Sequence, residues 1–222
     1  MVGSFIISGL ENMADYWPDL YNDPYAVKRI QNSVELAQVQ EGMSVLDVGC
    51  HRKELLNYLP TPIHYCGLDA IYGDKLDGGF EVGSNYDRIF CLETLEHLQF
   101  PDSTLIAIKH HLLPNGLAVI SLPNEATLFH RVRALFGVVD AECFSEKGKH
   151  LHLPSLKQAT TFIQRHFEIV RTGYYISPSA AHSQQAWLGK WLRILPDSVW
   201  QRLADVRPSL FSRGFIFVCK KK

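Results

Sequence analysis

Two carboxylates, Asp47 and Asp69, stand at the ends of apolar runs about twenty residues apart. The run Val45 to Cys50 (VLDVGC) is an apolar strand carrying Asp47 and Gly49 at its end, and a helix starts near Lys53 directly after it. In an open α/β sheet, ligands sit beyond the carboxyl ends of the strands, where glycine lets the backbone approach them closely. About twenty residues on, Tyr65 to Asp69 (YCGLD) ends a second strand in a carboxylate, the position from which an acid accepts both hydroxyls of a ribose. The pair argues for a nucleoside-bearing cofactor; the alternative is that Asp47 and Asp69 only cap strand ends. Further along, Glu93, Glu96 and His97 fall at i, i+3 and i+4, on one face if a helix begins there. Two carboxylates, an imidazole and water suit magnesium or zinc without being distinctive. General-base work on a hydroxyl is the preferred role for His97, since an imidazole titrates close to neutral pH.

The elements that must position these residues read as α/β. Apolar runs of strand length alternate with segments of helical period, the pattern of a mostly parallel sheet covered on both faces. Strands are expected at Ser44 to Val48, Ile63 to Leu68, Tyr86 to Leu92, Gly116 to Leu122, Phe167 to Ile176 and Phe211 to Cys219. Helices are expected over Tyr25 to Val39, Glu54 to Leu59, Ser103 to Leu113, Ala126 to Phe136 and Leu156 to Phe167, where apolar residues recur at helical spacing. Leu113 to Gly116 (LPNG) reads as a turn that stops a helix and launches the next strand. Residues 137–153 show no clear period and read as a surface loop crossing the ligand edge.

Composition narrows the class. A chain of 222 residues is short for two independent domains, so a single domain over 1–222 is expected, with a cofactor-binding core at 44–124. Hydrophobic residues at 46% and charged residues at 20% exclude a disordered, collagenous or coiled-coil chain. With 22 Lys and Arg against 23 Asp and Glu, no global field favours a polyanion, and nucleic acid is not a favoured partner. The cysteines (Cys50, Cys66, Cys91, Cys143, Cys219) are odd in number and scattered, which fits a reducing cytoplasm. Phe5 to Leu10 lacks the length and basic flank of a signal peptide, and no run approaches bilayer length; a cytoplasmic protein is expected.

From about Val45 to Ile176 the sequence resembles the class I S-adenosylmethionine-dependent methyltransferases. VLDVGC at 45–50 looks like their first motif, Gly67 to Asp69 their second, Tyr86 to Leu98 (YDRIFCLETLEHL) their fourth, and Leu112 to Asn124 (LLPNGLAVISLPN) their fifth. Leu-Glu-His at 95–97, Ser-Leu-Pro-Asn at 121–124 and His-Leu-His-Leu at 150–153 are most similar to bacterial enzymes that methylate small molecules and surface-polysaccharide sugars. The resemblance implies a Rossmann-like three-layer sandwich, a mostly parallel sheet with an antiparallel last strand, and S-adenosylmethionine as cofactor. It also implies that Asp47, Gly49 and Cys50 face the methionine end, Asp69 and Ala70 the ribose, Asp74 or Asp77 the adenine, and Glu93 the sulfonium. His97 would act on the acceptor. A similar Glu-x-x-Glu-His holds a divalent cation in ubiquinone-pathway O-methyltransferases, so Glu93, Glu96 and His97, completed by His150 or His152, form a metal set; metal is not favoured.

The sequence departs from that pattern twice. The family usually writes three alternating glycines in the first loop; here the second and third positions are His51 and Lys53. Asp69 and Asp74 are five apart, and a parallel crossover needs about a dozen residues. The third strand and its preceding helix are therefore expected to be short or missing. The adenine-amine and glutamine N-methyltransferases carry Asn/Asp-Pro-Pro-Tyr after the fourth strand; Cys91-Leu-Glu-Thr stands here, which disfavours amide and exocyclic-amine acceptors. Trp187, Trp191, Leu195 and Trp200 lie in a helical insertion at 182–206, read as a core-facing helix pair and alternatively as a lid or lipid-contacting stretch. The expected activity is methyl transfer to a small-molecule or sugar hydroxyl, the alternative a binding or scaffold protein whose cofactor loop His51 and Lys53 have closed. RNA 2'-O-methylation is a weaker third reading.

Overall fold

Residues alternate between two apolar layers along the central strands, and the alternation sets the architecture. In the computed structural model, which describes residues 24–137, 150–176 and 196–222, six strands form one sheet: β1 (Ser44–Val48), β2 (His64–Leu68), β3 (Tyr86–Leu92), β4 (Leu112–Pro123), β5 (Phe167–Tyr175) and β6 (Gly214–Lys221). Their order is β2-β1-β3-β4-β6-β5. The pairs β1–β2, β1–β3 and β3–β4 are parallel, whereas β6 runs antiparallel to both β4 and β5. On one face Leu46, Val48, Ile89, Cys91, Ile120 and Phe217 pack with Leu105 and Ile108 of α2 (Pro101–His111) and Ala159 and Ile163 of α4 (Leu156–Ile163). On the other face Val45, Phe90, Val119 and Ile216 pack with Ile30 and Ala37 of α1 (Pro24–Ala37). Phe90 is fully buried, and truncating it to Ala should cost about 3–5 kcal/mol.

The helix ends are specified locally. α2 starts with Pro101, carries Asp102 in its first turn and Lys109 in its last, each charge opposing the helix dipole, and ends in His110 and His111. Ser155 and Gln158 form a capping box at the start of α4. α3 (Leu128–Leu135) is capped by Thr127, whose side chain accepts from the His130 amide. Short α5 (Asp197–Val206) and α6 (Pro208–Phe211) precede β6. Arg88 of β3 donates from Nε to the Ala37 carbonyl at 2.7 Å and so satisfies an orphan group at the end of α1.

The third strand is absent. Between β2 and β3 the chain makes one 3-10 turn (Ala70–Tyr72), and β2 is left as the edge of the sheet. The LPNG turn takes a different form from the one expected: β4 begins at Leu112, and residues 113–116 are absorbed where the register with β3 shifts between Tyr86 and Arg88. Gly116 permits this, because a Cβ there would lie 3.0 Å from the Tyr86 carbonyl oxygen. The expected helix after β1 is a 3-10 turn (Glu54–Tyr58), and Phe211 belongs to α6, not to the last strand. Trp187, Trp191, Leu195 and Cys143 lie outside the described residues, as does most of the 137–153 loop.

Candidate active site

The chain leaves β1 toward β2 on one side and returns to β3 on the other, so the sheet's switch point lies at the carboxyl ends of β1 and β3. That crevice is where open α/β sheets take ligands, and Asp47, Gly49 and Glu93 flank it. The loop after β1 keeps a left-handed backbone at alternate positions, with φ of 79° at Gly49, 44° at His51 and 63° at Lys53. Glycine adopts this conformation freely, whereas each side chain bearing a Cβ pays about 1–2 kcal/mol. His51 and Lys53 therefore preserve the backbone of a glycine loop without its glycines. At Gly49 no substitution fits, since a Cβ would stand 2.1 Å from Thr94 Oγ1.

Neighbouring side chains hold the strained loop. The His51 amide donates to Asp69 Oδ2 at 2.7 Å, and the His51 imidazole meets Glu54 Oε1 at 2.8 Å. Lys53 Nζ lies 5.0 Å from the centre of the Tyr72 ring, within cation–π range. Asp69 also accepts from the Ile71 amide at 3.0 Å, capping the 3-10 turn that begins with exposed Ala70, and Asp74 Oδ2 accepts from the Asp69 amide at 2.8 Å. Asp69 thus acts as a cap and still keeps carboxylate lone pairs for hydroxyl donors. Asp77, the other candidate for adenine, accepts the amides of Gln99 and Phe100.

Beneath the loop Asp47 is buried and accepts from Tyr65 Oη at 2.8 Å; burial pushes its carboxyl up to about 7, against the opposing pull of that hydrogen bond. Cys50 is buried, and its thiol is pushed up to about 12, chiefly by desolvation, so it is no nucleophile at neutral pH.

Acidic groups dominate the end of β3. Glu93 itself sits at φ 53°, its amide donating to the Ser121 carbonyl and hydroxyl. Its carboxylate accepts from Tyr175 Oη at 2.7 Å and faces Arg29 Nη1 at 3.8 Å. Arg29 comes from α1 and Tyr175 from the end of β5; neither was marked by spacing, and an aromatic with a polar tip closing an apolar strand is the one signal that could have flagged Tyr175. Glu96 is 0% exposed, and among the described residues neither carboxylate oxygen has a hydrogen-bond partner. Desolvation, then the Glu93 charge, drives its carboxyl well above the usual range.

A line of imidazoles and carboxylates extends from Glu96. Its Oε1 lies 3.9 Å from His97 Nε2, the His97 and His150 rings meet edge to face at 4.9 Å, and His150 Nδ1 bonds Glu125 Oε1 at 2.9 Å. The His150 bond holds the Glu125 carboxyl below its ordinary value. Ligand atoms of Glu96, His97 and His150 lie within 4.8 Å of one another, so these three could hold a cation. Of the two histidines weighed for that set, His150 is the one brought in; His152 Nε2 turns to the Leu98 carbonyl at 2.9 Å, and Glu93 is engaged by Tyr175 and Ser121.

A sheet of this order with acids at its switch point is that of the class I methyltransferases. The chain belongs to the methyltransferase domain family, which it matches over residues 24–168. It is 27% identical over 227 residues to a ubiquinone biosynthesis O-methyltransferase of Photobacterium profundum, covering 85% of this chain and 92% of that enzyme. The namesake from Rickettsia typhi is 27% identical over 117 residues, and the alignment spans 53% of this chain but only 37% of that enzyme. In overall fold the chain is similar to the N-methyltransferase NodS of Bradyrhizobium japonicum (TM-score 0.56, 11% identity, 96% of each chain). A Thiobacillus denitrificans S-adenosylmethionine-dependent methyltransferase gives a TM-score of 0.58 at 12% identity, over 98% of this chain and 100% of that one. Both were solved with S-adenosylhomocysteine.

The cofactor of this family is S-adenosylmethionine, and the residues present fit it. The left-handed loop is intact despite His51 and Lys53, a strand-end acid stands at Asp69, and the Glu93 carboxylate at the end of β3 suits a sulfonium. Among the described residues no helix is long and apolar enough to cross a membrane.

Proposed function

We propose that this methyltransferase transfers its methyl group to a hydroxyl of a small molecule or sugar, with His97 as the base. The observation that carries the reading is the line Glu125–His150–His97, which brings two imidazoles and a carboxylate together beside Glu96 at the carboxyl edge of β3. The relationship to enzymes named as O-methyltransferases supports an oxygen acceptor. Bound S-adenosylmethionine supplies a methyl group on a positive sulfur. The work of this chain is then to orient the acceptor and take its proton, and positioning provides most of the rate. His97 receives the hydroxyl proton, while His150, hydrogen-bonded to Glu125, meets the His97 ring edge to face and orients it. The Glu93 carboxylate at the end of β3 attracts the positive sulfur and so favours binding of the cofactor over the neutral thioether that remains after transfer. His97→Ala should leave S-adenosylhomocysteine affinity nearly unchanged while turnover of an identified acceptor falls roughly a hundredfold. Full turnover of that variant would defeat the base role.

A second reading rests on the convergence of Glu96, His97 and His150 ligand atoms within 4.8 Å. There a divalent cation would bind the acceptor oxygen and lower its pKa. The scaffold reading required His51 and Lys53 to close the loop; the left-handed backbone at both positions argues against it.

A further inference from the structure

We propose that Glu81, His110 and His111 form a zinc-binding site at the opposite end of the sheet from the active site. His110 and His111 close α2 immediately before β4 starts at Leu112, and Glu81 lies in the segment that replaces the missing third strand, just before β3 starts at Tyr86. The site is therefore at the amino ends of these strands, away from the crevice that holds Asp47 and Glu93. One ligand atom from each residue lies within 4.8 Å of the other two.

The ring of His111 is already set as a ligand. His111 is buried, stacked on Phe80 with ring centres 5.9 Å apart, and its Nδ1 lies 3.2 Å from the Ser84 carbonyl oxygen. That carbonyl accepts a hydrogen bond and donates none, which places a proton on Nδ1, and the Val82 amide pointing at Nε2 marks that nitrogen as the one with the lone pair. A ligating imidazole is ordinarily fixed in this way through its other nitrogen. Nε2 lies 3.2 Å from Glu81 Oε2. Two ligands on one tetrahedral zinc, each about 2.0–2.1 Å from the metal, sit about 3.3 Å apart.

The other contacts of Nε2 and of the helix end are weak competitors. The Val82 amide approaches Nε2 at 3.4 Å, and Lys221 Nζ lies 3.5 Å from the His110 carbonyl. His110 and Glu81 are exposed, so each side chain closes the remaining distance by rotation, and the carbonyl end of α2 favours a cation. Two imidazoles and a carboxylate, with water as fourth ligand, suit zinc better than magnesium or calcium, which prefer all-oxygen shells. Bound there, zinc would tie the segment between β2 and β3 to the end of α2 and would not touch the reaction.

The test is calorimetric titration of zinc chloride into the tag-free chain, beside thermal unfolding with and without zinc. Glu81→Gln and His110→Gln, both at exposed positions, should each weaken zinc binding at least tenfold. The wild-type midpoint should rise by about 5–10 °C at zinc a hundredfold above its dissociation constant, and the rise should vanish in both variants. Zinc binding that persists unchanged in both variants, or that is lost instead in Glu96→Gln, would overturn the site, as would a wild-type chain that takes up no zinc.

Discussion

The carboxylate of Asp69, at the end of β2, accepts the backbone amide of His51 in the loop after β1 at 2.7 Å. The same residue that faces the expected ribose position therefore holds the left-handed loop in place, and cofactor contact and loop geometry are coupled through one side chain. Asp69→Ala should weaken S-adenosylhomocysteine binding by tenfold or more, since hydrogen bonds to a charged group contribute about 1.5–3 kcal/mol. Titration calorimetry that finds the affinity unchanged would remove Asp69 from the site.

Lys53 sits at φ 63° with its ammonium over Tyr72. Glycine at this position relieves left-handed strain of about 1–2 kcal/mol and forfeits a cation–π contact of about 0.5–1 kcal/mol at an exposed site. The net gain is about 0–1.5 kcal/mol, so Lys53→Gly should raise the unfolding midpoint by at most about 6 °C. A midpoint that falls by several degrees in differential scanning calorimetry would show that the Lys53 side chain, and not the backbone alone, holds the loop.

Asp47 gives stability a pH dependence with a defined sign. The folded chain keeps this proton up to about pH 7, whereas the unfolded chain releases it near 3.8. The native state thus binds more protons between those values, and the contribution, fully present below the lower value, is lost as pH rises through the upper one. Glu96, also raised, adds a slope of the same sign. Asp47→Asn should flatten the decline by at most about 1.4 kcal/mol per pH unit across that window. Urea unfolding at a series of pH values measures it, and parallel curves for variant and wild type would refute it.

What could be read from the chain before its structure divides along physical lines. The missing third strand was legible by counting, because residues 71–85 leave no room for a helix, a further strand and two turns. The strand ends at Asp47 and Asp69 were legible because an apolar run broken by an acid and a glycine has few other uses. The loop was misleading: His51 and Lys53 argue locally against a left-handed backbone, and the hydrogen bond from Asp69 that helps impose it is a tertiary contact. The partners of Glu93 were hidden for a related reason, since Arg29 and Tyr175 lie on α1 and β5, and no spacing rule links residues so far apart. Likewise, two histidines at 150 and 152 look equivalent in sequence. The chain turns one toward Glu125 and the other toward Leu98.

His150 and Glu125 separate the two accounts of the chemistry. If His97 is the base, the His150–Glu125 pair acts through it, as an oriented and polarised imidazole beside its edge. Glu125→Gln should then lower turnover, shift its acidic pH limb, and leave the rate indifferent to chelator, because Gln keeps a hydrogen bond to Nδ1 but loses the charge. If Glu96, His97 and His150 hold a cation, activity should instead require added divalent metal. Glu96→Gln and His150→Ala should each abolish that requirement together with most of the turnover, since a ligand set stripped of one member typically loses much of its affinity. Glu96→Gln discriminates further. A neutral amide costs the base mechanism little, because the buried Glu96 carboxyl is already driven toward its protonated form, whereas it removes the one carboxylate in the metal set. Chelator-resistant activity in Glu96→Gln would therefore eliminate the cation and leave His97 with the proton, and chelator-sensitive wild-type activity that disappears in the same variant would do the reverse.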